Sequence, residues 1–185
     1  MFPTLDTPRL TLRSFQRSDI EPFSRYRSDP EVARYQGWEI PYTLEQATRF
    51  VGEMIAASPG IPGQPYQVAI ELRATGEMIG DCMFVRLPED ERQAEIGFTL
   101  ARAFQGQGYA SEAVARLLDY LFSDLNLRRV RANCDPQNTS SARLLRRLGM
   151  RQEGHFIESL WLKGCWVDED WYAILRIEWQ KRLTY

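Results

Sequence analysis

Residues 100–113, LARAFQGQGYASEA, concentrate the side chains and glycines best suited to binding. Gln105-Gly106-Gln107-Gly108-Tyr109-Ala110 stands between a strand-like run and a strongly amphipathic stretch. Closely spaced glycines at a helix start let backbone N–H groups converge on an anion, and the positive end of the helix dipole adds to the attraction. The chemistry this spacing calls for is capture of a phosphate-bearing ligand. Two familiar phosphate loops do not fit. The hexad lacks the GxGxxG spacing, follows a series of hairpins, and has no acidic ribose ligand about 20 residues on at a strand end. No Gly-Lys-Ser/Thr follows it, which removes the P-loop.

The flanking elements must hold that loop. Arg9-Leu10-Thr11-Leu12-Arg13 alternates and predicts a first strand. Ser18-Asp19-Ile20-Glu21-Pro22 opens a helix that ends near Ser28-Asp29-Pro30. Thr43-Leu44-Glu45-Gln46 is a capping box that starts a helix to about Ala57. A Pro- and Gly-rich loop over 58–65 precedes two strands, Tyr66–Leu72 and Glu77–Leu87, around the turn Ala74-Thr75-Gly76. Residues 92–100 alternate, with Ala94, Ile96, Phe98 and Leu100 on one face and Glu95, Gly97 and Thr99 on the other. The helix after the hexad carries Ala113, Val114, Leu117, Leu118 and Leu121 at helical spacing. A strand over 128–134, a helix over 139–148 closed by Gly149, and strands over 150–161 and 166–177 joined at Lys163-Gly164 complete the chain. Trp161, Trp166, Trp171 and Trp179 are expected to supply core and sheet faces. A meander followed by strand–helix units predicts an α/β (α+β) fold with a mixed sheet, in a single domain spanning 1–185.

Composition narrows the function classes. The chain has 185 residues, 44% hydrophobic and 26% charged, with a formal net charge of −2, so no basic footprint points to nucleic acid or an anionic membrane. The N-terminus lacks a signal-peptide pattern, and no apolar run is long enough to span a bilayer. Cys82, Cys134 and Cys165 are widely separated and odd in number, which fits a reducing cytoplasm. One histidine leaves little for a zinc site, and no metal is expected.

At the hexad the residues resemble a known family. Gln105-Gly106-Gln107-Gly108-Tyr109-Ala110 is similar to the Gln/Arg-x-x-Gly-x-Gly/Ala acyl-CoA signature of the GNAT N-acetyltransferases. Ala94-Glu95-Ile96-Gly97-Phe98 resembles the family's fourth strand. The run from Asn138-Thr139-Ser140-Ser141 through Leu148-Gly149-Met150 resembles its Asn-x-x-Ser…Leu-Gly-Phe helix. Arg9-Leu10-Thr11-Leu12-Arg13, and residues 153–168, resemble the branch that acetylates the N-termini of ribosomal proteins. One departure is Ile157, where related sequences often carry Arg.

The resemblance implies a mostly antiparallel sheet with helices on both faces and splayed fourth and fifth strands. Acetyl-CoA, as acyl donor, would lie between those strands. Backbone groups of Phe98, Thr99 and Leu100 would pair with the pantetheine arm, and N–H groups of Gly106, Gly108 and Ala110 would cradle the pyrophosphate, within a loop completed by Gln105, Gln107 and Tyr109. Asn138 and Arg147 would add donor contacts, with Arg143 and Arg146 as further cations. Tyr35, Gln36 and Trp38 are candidate walls for the acceptor.

Amine acetylation needs a neutral amine and a proton for the departing thiolate. Deprotonating a lysine amine at pH 7 costs about 4–5 kcal/mol, an α-amine only about 1 kcal/mol. Glu95 is the candidate base; its alternative is a structural ion pair, and Glu158 and Asp168 are other carboxylates to consider. Ser141 occupies the position of the family's acid, and helix capping is its alternative. The function read here is transfer of an acetyl group to a primary amine by direct attack in a ternary complex. The acceptor favoured is a protein or peptide N-terminal α-amine; a metabolite or antibiotic amine is the alternative. A non-catalytic acyl-CoA-binding regulator is the competing class, against which the joint presence of Glu95 and Ser141 argues. Many relatives pair, so a homodimer is compatible with the resemblance.

Overall fold

Residues 2–182 are described in the structure, a computed structural model. Eight strands form one sheet: β1 (Leu5–Asp6), β2 (Leu10–Arg13), β3 (Tyr66–Leu72), β4 (Glu77–Leu87), β5 (Asp90–Leu100), β6 (Arg129–Cys134), β7 (Arg151–Leu162) and β8 (Cys165–Leu175). Their spatial order is β1-β2-β3-β4-β5-β6-β8-β7. Every pairing is antiparallel except β5 with β6, which the chain joins by a helical crossover. The two-residue β1 precedes the first strand read from the sequence, so the expected fourth and fifth strands are β5 and β6.

The helices are α1 (Ile20–Arg27), α2 (Pro30–Ala33), α3 (Leu44–Ala56), α4 (Tyr109–Asp119), α5 (Thr139–Arg147) and α6 (Arg176–Arg182). The Thr43 capping box forms in full. Thr43 Oγ1 accepts from the Gln46 N–H (3.2 Å), and Gln46 Oε1 accepts from the Thr43 N–H (2.8 Å). Helix α4 runs on into a π-helical turn, Tyr120–Asp124, that buries Tyr120, Leu121 and Phe122. Two helices depart from the sequence expectation. Asp29 caps Pro30–Ala33 by accepting the Glu31 N–H (3.0 Å), so the chain makes a further turn of helix where a plain connection was expected. Residues 176–177, read as strand, begin α6 because Glu178 Oε2 takes the Leu175 N–H (2.7 Å) and turns the backbone out of the sheet.

Helices cover both faces of the sheet. One core gathers Leu117, Leu118, Leu121 and Leu145 against Phe84, Ile96, Val130 and Ile174, closed by Trp179. The other packs Phe23, Tyr26 and Val51 against Ala69 and Met78. Successive residues of β3, Val68 and Ala69, enter opposite cores, as strand alternation requires. Trp161 and Trp166 are not in a core. They are 57% and 56% exposed, because β7 is an edge strand and its hairpin with β8 runs past the helices. These two indoles pack edge-on against each other instead (5.3 Å between centroids).

One discontinuity shapes the molecule. The pairing of β5 with β6 covers only Gln93, Ala94 and Glu95 against Arg129, Val130 and Arg131. From Ile96 onward the two strands diverge, and the edge of β5 that faced β6 pairs with no strand among the described residues.

Candidate active site

A cavity of about 950 Å³ is bounded by the end of β5, the glycine hexad, the first turns of α4 and α5, and α2. Phe98, Thr99, Leu100, Gln105, Gly106, Gly108, Tyr109, Ala110, Asn138, Ser141, Arg147, Tyr35 and Gln36 all line it. Gln107, Trp38 and Glu95 do not. Arg34, Arg102, Arg143 and Glu31 also line it. Arg34 and Glu31 escaped the sequence reading because α2 did; Asp29-Pro30, a capping residue followed by a first-turn proline, was the signal that marks that helix.

The loop that enters α4 is held by backbone conformation. Gly106 and Gly108 have φ of +76° and +83°. A Cβ at Gly106 would meet nothing within 4 Å, so its left-handed backbone, not lack of room, calls for glycine. At Gly108 a Cβ would also approach Arg9 Nη2 to 3.3 Å. Gln105 fixes the other side of the turn by donating from Nε2 to the Leu100 carbonyl (2.9 Å). The side chain of Gln107 turns away and donates to the Ala103 carbonyl (3.0 Å).

Across the cavity, Asn138 is the cap of α5: its Oδ1 accepts the Ser141 N–H (3.2 Å). Capping is therefore done by Asn138, and the Ser141 hydroxyl has no hydrogen-bond partner among the described residues. Four arginines, Arg34, Arg102, Arg143 and Arg147, line the cavity, and Glu31 is the one acidic residue among its described lining. Arg102 is tied to Asp29 (2.9 Å). The wall thus offers positive charge, two left-handed glycines and a helix N-terminus to an anion, a combination suited to a ligand with several phosphates.

Glu95 sits at the last residue pair before the strands part. Arg131, opposite it on β6, donates from Nε to Glu95 Oε2 (3.1 Å) and pairs with it through Nη2 (3.1 Å), and its guanidinium lies 4.8 Å from the centre of the Trp171 ring. Glu95 Oε1 has no partner among the described residues. Tyr35 donates its hydroxyl to the Gln137 carbonyl (3.4 Å) at the cavity rim. Trp38 is drawn inward, where its Nε1 donates to the Arg27 carbonyl (2.9 Å) and its ring stacks on that guanidinium (4.0 Å). Arg27 is buried beside Asp81 (3.5 Å), whose carboxyl burial raises above its usual range against the pull of Arg27 and Tyr26. Glu158 and Asp168 lie outside the cavity wall, where Asp168 accepts the Glu158 N–H (2.8 Å). His155, between Asp170 (2.8 Å) and Asp168 (3.5 Å), is also apart from it. Burial pushes the Cys134 thiol up to about 11, so it is a poor nucleophile at neutral pH. No cluster of three or more metal-ligating side chains occurs among the described residues, and no helix there is long and apolar enough to cross a membrane.

Comparison with known proteins decides the family. Residues 9–151 match the acetyltransferase (GNAT) domain. The chain belongs to the GNAT family. An uncharacterised N-acetyltransferase, p20, from Bacillus licheniformis is 38% identical over 176 residues, 95% of this chain and 98% of that one. The crystal structure of a GNAT-family acetyltransferase from Bacillus anthracis superimposes with a TM-score of 0.86 at 31% identity, over 95% of this chain and 100% of the other. Two more distant structures share the fold. One is a spermidine N-acetyltransferase from Vibrio cholerae in complex with CoA and spermine (TM-score 0.79, 23% identity, 94% and 99% covered). The other is a ribosomal L7/L12 alpha-N-protein acetyltransferase, RimL, in complex with coenzyme A (TM-score 0.80, 22% identity, 94% and 98% covered). This GNAT protein is an acetyl-CoA-dependent N-acetyltransferase. Its relatives act on acceptors of more than one kind.

Proposed function

We propose that this GNAT enzyme acetylates the N-terminal α-amine of a protein or peptide by direct transfer from acetyl-CoA. The observation that carries the reading is the parting of β5 and β6 at Glu95 and Arg131. It leaves the backbone of Phe98, Thr99 and Leu100 open to a linear ligand, with the glycine loop at one end and the Ser141 hydroxyl across from it. In this reading the pantetheine arm pairs with β5. The N–H groups of Gly106, Gly108 and Ala110 hold the diphosphate. Gln105, Gln107 and Tyr109 keep the loop in shape, and Asn138 and Arg147 close on the donor from α5. The amine nitrogen attacks the thioester carbonyl and the C–S bond breaks. Glu95 accepts the amine proton through water at Oε1, and Ser141 Oγ returns a proton to the thiolate. Cys134, held as a thiol, supports transfer without an acetyl-enzyme.

The charge of the cavity supports an α-amine. Arg102 is paired with Asp29, yet Arg34, Arg143 and Arg147 still outnumber Glu31 in the cavity's described lining, an unfavourable setting for a polycation. An α-amine also needs little help to lose its proton, about 1 kcal/mol at pH 7. That suits a base already sharing its charge with Arg131. Tyr35 and Gln36, with Trp38 bracing the loop behind them, stand where a peptide would enter.

Thiol release from acetyl-CoA tests this with three acceptors in parallel: short peptides with free N-termini, spermidine and an amino sugar. The highest kcat/KM is expected for peptides, with the product acetylated at the α-nitrogen by mass spectrometry. A preference for spermidine or the sugar replaces the acceptor assignment. Tight CoA binding with no turnover on any of the three favours a regulator.

A further inference from the structure

Thr7 and Arg9, in the turn between β1 and β2, bind the first turn of α4 and the anion loop. The Glu112 carboxylate lies in the first turn of α4, where it complements the helix dipole and, left unpaired, would oppose a bound anion. It is fully engaged. The Thr7 hydroxyl donates to Oε1 (2.6 Å), as does the Arg9 N–H (3.0 Å), and Arg9 Nε donates to Oε2 (2.7 Å). These bonds pull its carboxyl below its ordinary value although burial opposes them. The same Arg9 side chain reaches further. Nη1 donates to the Gln107 carbonyl (3.0 Å), and the guanidinium lies 4.3 Å from the centre of the Tyr109 ring.

The Gln107 carbonyl and the Gly108 N–H belong to one trans peptide plane and point in opposite directions. Neither Arg9 nor Gln107 lines the cavity, whereas Gly106, Gly108 and Tyr109 do. A guanidinium that holds the carbonyl on the outer side therefore turns the N–H of the next residue toward the cavity. Without that bond, this peptide can turn about the Gln107 ψ and the Gly108 φ, the latter at +83° in a region open to glycine.

We infer that Arg9, anchored by Glu112, is a positioning residue for acetyl-CoA: it orients the 107–108 peptide so that the Gly108 N–H meets the diphosphate. Arg9 itself does not line the cavity. The inference rests on the donor reading given above.

The test compares binding of CoA with binding of S-acetyl-pantetheine, which lacks the diphosphate, in the full-length protein by calorimetry. Arg9→Ala is expected to weaken CoA by about tenfold, the scale of one charge-assisted hydrogen bond, and to leave S-acetyl-pantetheine unchanged. Arg9→Ala/Glu112→Gln removes the stranded carboxylate and is expected to stay weak for CoA. Restoration of CoA binding in that double variant overturns the inference, because Arg9 then acts only by neutralising Glu112. Equal losses for both ligands overturn it as well, since a general loosening would do that. If the wild-type protein binds CoA no better than S-acetyl-pantetheine, the diphosphate cradle itself fails. If wild type discriminates and Arg9→Ala discriminates equally, the cradle stands and the role of Arg9 falls.

Discussion

The two walls of the cavity, which the proposed function assigns to donor and acceptor, are built in different ways. The donor wall is made of short, nearly continuous pieces of chain: the end of β5, the hexad, and the first turns of α4 and α5. Its geometry comes from backbone conformation at Gly106 and Gly108 and from caps at Asn138 and Gln105. The acceptor wall around α2 is held by contacts from far along the chain. Lys163, at the tip of the β7–β8 hairpin, donates from Nζ to the Ala33 carbonyl (2.8 Å), and Tyr35 reaches Gln137. A wall built from local backbone accepts one ligand, while a wall built from distant side chains can change acceptor by changing a few residues. That contrast fits a family whose members share a donor and differ in acceptor.

The largest effect expected is on chemistry between the walls. Ser141→Ala should lower kcat by about 100-fold, the scale of general acid catalysis. CoA affinity and Tm should stay unchanged, because Asn138 makes the helix cap. Full turnover in this variant would remove Ser141 from the chemistry. On the donor wall alone, Gly108→Ala should weaken CoA by about tenfold, since a left-handed backbone costs an L-residue about 1–2 kcal/mol. Calorimetry checks this, and a parallel rise in acceptor KM would break the independence of the walls. On the acceptor wall, Lys163→Met should raise acceptor KM by about threefold, the size of one hydrogen bond, with CoA affinity unmoved in the same preparation.

The smallest effect concerns pH. The folded protein holds Glu112 below its ordinary carboxyl value, so the stabilisation is complete above about pH 4.3 and is lost as pH falls through the lowered folded value. Thermal melts from pH 6 to 3 should therefore show a shallower acid decline for Glu112→Gln than for wild type. Identical slopes would mean that the clamp on the donor wall is not held by charge.

The contrast between walls also explains what the sequence made legible. Strands Tyr66–Leu72 and Glu77–Leu87, the Thr43 capping box and the helix after the hexad follow from signals a few residues long, and the fold bears them out. Helix α2, four residues long, is too short for periodicity to show and is marked in the sequence by Asp29-Pro30 alone. Helix α6 depends on Glu178 binding the Leu175 N–H, and alternation alone carried the strand reading past that point. The indoles of Trp161 and Trp166 look like core in a sequence, yet edge-strand position leaves them exposed, which only the strand order reveals. Within the site, Gln105 and Asn138 could be placed from their motifs. The commitment of Glu95 to Arg131 could not, since their pairing depends on the register of two strands separated by α4. The inward turn of Trp38 likewise needed the buried Arg27 it stacks on.

The three-residue seam between β5 and β6 has a consequence for the whole molecule. Only this short ladder joins two longer-paired half-sheets, one from β1 to β5 and one of β6, β8 and β7. Their alignment across the seam is carried by the packing of helices rather than by a continuous ladder. A donor that lies along β5 and touches both α4 and α5 spans that division. Its arrival therefore couples the opening of the two halves, and amide exchange in β8, which β6 separates from β5, should slow when CoA binds.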